Sequence, residues 1–239
     1  MNKKSHKPFR FKYFSIYQEF AAMKIGTDGI LLGAWVNCHN CKSILDIGTG
    51  TGVIALMMAQ RNENASIDGI EIDDNAIKDA SMNFKNSTWS NRLNLIHLDV
   101  LKYKTTKKYD LIVCNPPFFN NSLKPHDNSR ALARHNDKLN IAEIAKFSSK
   151  KISDKGRICL VLPISSLEEV KLIFAKFHLE LIRICYVKPK PHKQPHRVLL
   201  EFGKQKQSLQ KEKITIENEG RHNYTDDYKN LTREFYTIF

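Results

Sequence analysis

The run Tyr109-Asp-Leu-Ile-Val-Cys114 ends in Asn115-Pro116-Pro117-Phe118, which sets an amide, two rigid rings and an aromatic face side by side. Neither proline has an N–H to give a ladder, so the tetrad belongs where a strand stops. Such a set can hold a planar amino group. The Asn115 side-chain oxygen and the Pro116 carbonyl can accept its two hydrogens, and Phe118 can stack on the ring that bears it, a contact worth about 1–3 kcal/mol per base. An exocyclic amino nitrogen is a poor nucleophile because its lone pair is delocalised. Two acceptors favour pyramidal geometry, and their bonds strengthen as the nitrogen becomes cationic. The prolines restrict φ, and Pro117 also disfavours the helical region for Pro116, so the accepting carbonyl is held in advance.

Three further places can bind a ligand. Asp46-Ile-Gly48-Thr-Gly50-Thr-Gly52 offers glycines that turn sharply and admit close backbone approach. Glu71, with Asp73 two residues on, supplies a carboxylate able to accept from ribose hydroxyls, and Asp99 one able to meet the amino group of an adenine.

These residues need elements to position them. Short apolar runs at 43–47, 66–72, 93–99, 109–114 and 156–162 read as strands, and stretches with helical spacing lie at 53–61, 74–86, 139–151 and 166–177. The alternation predicts right-handed crossovers and a parallel sheet covered on both faces. Two later strands, 179–187 and 198–202, are joined only by KPKPHKQPHR, too short for a helical crossover, so one of them must run antiparallel. The expected fold is α/β, doubly wound, with a mostly parallel seven-stranded sheet and one antiparallel strand near the C-terminus. In such sheets a ligand binds beyond the carboxyl ends of the strands, where all four candidate groups fall. The spacing G-x-G-x-G departs from the dinucleotide fingerprint G-x-G-x-x-G, which places a nicotinamide oxidoreductase last among the readings.

Asp46–Gly52, Glu71, Asp99 and Asn115–Phe118 together resemble the motifs of class I S-adenosylmethionine-dependent methyltransferases. The resemblance implies S-adenosylmethionine as cofactor, held by Asp46, Gly48, Gly50, Gly52, Glu71 and Asp99, and catalysis by Asn115, Pro116, Pro117 and Phe118 on a planar nitrogen. Upstream, Met23-Lys-Ile-Gly-Thr-Asp-Gly-Ile-Leu-Leu-Gly-Ala-Trp35 is similar to the segment before the glycine loop in the tRNA1(Val) adenine-37 N6-methyltransferases, which adds Lys24 and Thr27 to the cofactor set. Pro195-His-Arg-Val-Leu-Leu-Glu-Phe202 and Leu231-Thr-Arg-Glu-Phe-Tyr236 resemble the same family. Phe118 stands where tyrosine is usual, which keeps stacking and removes a phenol hydroxyl.

A net charge of +13 with 41% hydrophobic residues describes a basic chain that still folds, and it favours a polyanionic partner. Arg130 and Arg134 lie in a long polar stretch after the tetrad, and Lys188, Lys190 and Arg197 in the proline-stiffened basic one; both are candidate RNA contacts as well as ordinary solvated loops. The N-terminal aromatics between Phe9 and Phe20 could stack bases or pack over the sheet. Five cysteines, an odd number without a framework spacing, read as reduced thiols, and Cys38-His-Asn-Cys41 lacks a second ligand pair, so no metal is expected. With neither an apolar leader nor a membrane-length apolar run in the sequence, a cytoplasmic protein with no membrane and no obligatory protein partner is expected.

The expected organisation is an N-terminal segment, 1–42, on the cofactor pocket, a methyltransferase core over 43–204, and a C-terminal extension, 205–239. The expected reaction is methylation of an adenine N6 in tRNA, most specifically adenine 37 of tRNA1(Val). The tetrad alone equally fits a protein glutamine, an rRNA guanine or a DNA adenine, and a non-catalytic RNA-binding module is the third class.

Overall fold

The computed structural model describes residues 7–117 and 140–239. Its centre is an eight-stranded sheet of β3 (Ser43–Ile47), β4 (Ser66–Glu71), β5 (Leu93–His97), β6 (Tyr109–Cys114), β7 (Ile152–Pro163), β8 (Glu180–Lys188), β9 (Arg197–Gly203) and β10 (Gln210–Thr215). The order is β10-β8-β9-β7-β6-β3-β4-β5, and β9 runs antiparallel to both its neighbours. A two-residue antiparallel pair, β1 (Phe9–Arg10) and β2 (Ser15–Ile16), stands apart. The sheet has eight strands instead of seven because Gln210–Thr215, inside a lysine-rich stretch, adds to the edge parallel to β8.

The winding reverses between β3 and β6, with β4 and β5 on one side and β7 on the other. Their carboxyl ends therefore open a crevice at the place where the glycine loop leaves β3 and Asn115 leaves β6.

Alternation along the strands feeds two cores. Ile44, Leu111, Val113, Cys159 and Val161 pack on one face beneath α1 (Thr27–Trp35), α2 (Val53–Arg61), Phe84 of α3 (Asp74–Lys85) and the C-terminal aromatics. Leu45, Ile47, Ile112, Cys114, Ile158 and Leu160 pack on the other beneath α4 (Ile141–Lys151) and α5 (Leu167–Lys176). α1 is buried at every residue from Gly29 to Trp35. It carries no amphipathic period because α2 and β7 lie on one side of it and α6 (Asp226–Thr232) on another.

The N-terminal aromatics join the core. Phe11 stacks on Phe14 and on Tyr236, and the Lys12 amide donates to the Phe235 carbonyl. The following strap is pinned to α3: fully buried Asp79 accepts from the amides of Glu19, Phe20 and Ala21, at 3.1, 3.0 and 2.7 Å. Asn83 exchanges bonds with the Tyr17 amide and carbonyl and also donates to the Thr51 carbonyl in the glycine loop. All five cysteines are buried thiols, and no helix among the described residues is long and apolar enough to cross a membrane.

Candidate active site

The glycine loop takes its shape from three left-handed residues, Gly48, Gly50 and Gly52, with φ of 67°, 57° and 84°. L side chains rarely adopt these values, and at Gly52 a Cβ would also come within 2.5 Å of the Phe84 ring. Gly48 and Thr49 donate their amides to the Ile70 carbonyl, lashing the loop to the end of β4. Beneath it Asp46 is fully buried; its Oδ2 accepts from the Thr49 hydroxyl at 2.7 Å, and its Oδ1 has no partner. Burial pushes the Asp46 carboxyl from 3.8 up to about 7; the Thr49 bond and the nearby Ala55 amide pull it back, and the charge of Glu71 adds to the rise.

Glu71 closes the next wall. Its Oε1 accepts from the amides of Ile72 and Asp73, and its Oε2 from Gly50 at 2.8 Å. Of about four acceptor positions on a carboxylate, one remains. Asp99 accepts from the Leu101 amide as the cap of a short 3-10 turn. The residues flanking these acids expose apolar side chains, Ile72 at 61% and Leu101 at 47%.

Asn115 is half-buried, Pro116 buried and Pro117 exposed. The Cys114 thiol just before them is pushed well above its ordinary range by burial, with Asp46 and Glu71 adding to the rise, so it remains a protonated side chain of the core. Beside Asn115 lies the first turn of α1: a methyl group added at Gly29 would sit 3.7 Å from Asn115 Nδ2. Thr27 is exposed at the start of that helix. The Lys24 ammonium is directed to the carbonyls of Gln18 and Glu19, so it closes the strap on itself. Asp46, the three glycines, Glu71, Asp99 and Asn115 thus all stand at or just beyond the carboxyl ends of four neighbouring strands, β3, β4, β5 and β6, while the Lys24 ammonium turns to the strap.

Phe118, Arg130 and Arg134 lie outside the described residues. Lys188 reaches back to the Pro191 carbonyl, Lys190 is half-buried, and Arg197 forms an ion pair with Asp28 at 2.9 Å. The 188–197 hairpin occupies the same edge of the sheet as Asn115, since β8 ends and β9 begins beside the carboxyl end of β7.

The methyltransferase small domain family matches residues 20–161, a span that contains the glycine loop, both acids and the tetrad. The chain belongs to this family of methyltransferases. Over 230 residues it is 41% identical to a Vibrio campbellii protein named tRNA1(Val) (adenine(37)-N6)-methyltransferase, covering 96% of this chain and 95% of that one. A Flavobacterium psychrophilum protein of the same name is 43% identical over 231 residues, covering 95% and 98%. Among solved structures, an Agrobacterium tumefaciens protein described as an O-methyltransferase superposes with a TM-score of 0.68 at 18% identity, over 87% of this chain and 96% of that one. That likeness speaks to the fold alone.

Some contributors to the methyltransferase crevice escaped sequence reasoning. Thr49 sits under Asp46, Ile72 and Leu101 flank the acids, and Asn83 ties the strap to the loop. Thr49 was discoverable, as the only kind of side chain in a glycine-rich turn able to satisfy a buried acid. Asn83 was not, because its partners are backbone groups 66 and 32 residues away.

Proposed function

We propose that this methyltransferase uses S-adenosylmethionine to methylate the N6 amino group of an adenine in tRNA, namely adenine 37 of tRNA1(Val), in the cytoplasm. What supports the reading is that Asn115, the Asp46–Gly52 loop and Glu71 stand at the carboxyl ends of β6, β3 and β4, neighbouring strands at the winding reversal, with Glu71 already bound to the loop at Gly50. The names of the full-length relatives supply the substrate.

The crevice fits the cofactor. Asp46 Oδ1, buried without a partner, suits an ammonium group; Glu71 keeps one acceptor position for a hydroxyl; Asp99 with Ile72 and Leu101 suits an adenine. Bound there, S-adenosylmethionine supplies an electrophilic methyl group on a sulfonium. The protein's part is to orient. Asn115 Oδ1 and the Pro116 carbonyl accept the two amino hydrogens, turning the nitrogen lone pair toward the methyl, and Phe118 stacks on the base. Asparagine is neutral and removes no proton; the amine releases one to solvent after alkylation. The acceptors lie at the end of a strand buried along its length, which limits their motion before substrate arrives.

The test is incubation with labelled cofactor and, in parallel, the tRNA, rRNA, DNA and protein fractions of cells lacking the activity, followed by mass spectrometry of nucleosides and peptides. N6-methyladenosine at position 37 is expected. Label confined to a protein glutamine, a DNA adenine or an rRNA guanine would overturn the assignment while keeping the crevice chemistry.

A further inference from the structure

The two segments that flank the cofactor motifs in sequence, 23–35 and 195–202, meet in space at one ion pair. Asp28 Oδ2 lies 2.9 Å from Arg197 Nε, with both side chains about three-quarters buried, at 24% and 28% exposure. Asp28 belongs to the first turn of α1, and Arg197 opens β9 between the ends of β7 and β8. Resting on the function proposed above, we propose that Asp28 and Arg197 are a positioning pair that holds the first turn of α1 against Asn115 and so sets the orientation of the accepting amide during methyl transfer.

Asp73 caps α3, Asn140 forms a capping box on α4, and Thr225 caps α6, whereas α1, like α2 and α5, starts without a side-chain cap, its N-cap residue being Gly26. Its first backbone bond, from the Ile30 amide to the Gly26 carbonyl, is long at 3.4 Å. Left to itself this turn would fray, because its N–H groups have no internal partners. Yet it is the turn that faces Asn115: a methyl group added at Gly29 would lie 3.7 Å from Asn115 Nδ2 and 3.8 and 3.9 Å from Val53 and Ile54 of α2. The carboxylate also suits the positive end of the helix dipole. The guanidinium is held in turn, through Nη1 to the His196 carbonyl, on a strand flanked by β7 and β8. A rigid strand thus restrains an uncapped turn, and that turn restrains the reactive amide.

This gives Arg197 a different duty from a phosphate contact, and the two duties separate experimentally. Single-turnover transfer from S-adenosylmethionine to an unmodified tRNA1(Val) transcript, with both saturating, is to be measured for wild type, D28N, R197Q and the double variant. Tm, cofactor affinity and KM for tRNA are measured alongside. Each single substitution is expected to slow transfer about tenfold, the double by no more than about twofold beyond either single, with KM for tRNA within about twofold. R197K, which keeps the charge and loses the forked geometry, is expected to fall between wild type and R197Q. If D28N or R197Q fails to fold, the cycle is run with D28E and R197K, which must again be non-additive. R197Q raising KM for tRNA with an unchanged transfer rate, or single effects that multiply in the double variant, overturns the inference alone. A wild-type enzyme that leaves tRNA unmodified overturns the proposed function and the inference with it.

Discussion

Toward the amino ends of the parallel strands, arginines seal the fold. Arg61 donates to the carbonyls of Gly33 and Val36, Arg92 to those of Ala59, Asn62 and Ala65, and Arg157 to that of Asn37, finishing the exits of α1 and α2. Glu201 sits between Arg157 and Arg183, at 2.9 and 2.7 Å, while the Arg183 guanidinium lies 3.7 Å over the Trp35 ring. At the carboxyl ends the finish is the reverse. Asp46 keeps an orphaned oxygen, the loop runs through three left-handed glycines, and large aliphatic side chains face solvent beside the acids. The two ends thus differ in finish, arginines closing helix exits at one and a left-handed glycine loop over a buried acid at the other, although Gln60 Oε1 and Ser148 Oγ, in the last turns of α2 and α4, are buried without partners as well.

The sharpest way to break that contrast is Asn115→Ala. Methyl transfer is expected to fall about 10²–10³-fold, the scale for losing a positioned transition-state hydrogen bond, while cofactor affinity measured by calorimetry stays near wild type. A lost cofactor affinity instead would move Asn115 to the other half of the crevice. At the sealed end, Glu201→Ala leaves two partly buried guanidiniums without their shared acceptor. Urea unfolding should show a loss of about 3 kcal/mol, with the KM values of the remaining folded enzyme unchanged. A variant that keeps its stability but loses activity would mean that the two ends are not divided as described.

A smaller effect is expected from Asp46. Its carboxyl keeps a proton up to about pH 7 in the fold, whereas the unfolded group releases one near 3.8. The stability linked to that retained proton is present below the unfolded value and is lost as pH rises through the folded one. Melting of the ligand-free protein should therefore show an Asp46 contribution that declines across that window and is absent in Asp46→Asn. If the ionised form receives the cofactor's ammonium, binding should weaken about tenfold from pH 8 to 6 in wild type only. A pH-independent affinity in wild type would remove Asp46 from that role. The smallest change is expected at the hairpin: Lys190→Gln should lower the salt slope of tRNA binding by about one, leaving transfer at saturation unaltered, and an unchanged slope would take this residue off the RNA.

Much of the sealed scaffold was legible in the sequence. The strand expected at 109–114 and the helix at 53–61 carry the bounds found, because the strand is an apolar run stopped by Asn-Pro-Pro and the helix opens directly after the glycine loop. The antiparallel member of the final pair followed from a linker too short to cross over, and it is β9. α1 and β10 were not legible, for opposite reasons. α1 is buried on all sides and shows no period, while β10, QKEKIT, is an edge strand whose lysines mask its pairing. At the site the motif residues came from spacing, but the partner of Arg197 could not, since 169 residues separate it from Asp28.

The hold of Asp79 on the strap has one more consequence. Residues 19–21 belong to no helix or strand, and Phe20 is partly exposed, so by shape the segment passes for a surface loop. Its three amides nevertheless end on a carboxylate that water does not reach. Amide hydrogen exchange there is governed by opening of the α3 contact and not by the segment's own irregularity, so these protons should persist in deuterated solvent on the timescale of the neighbouring helix.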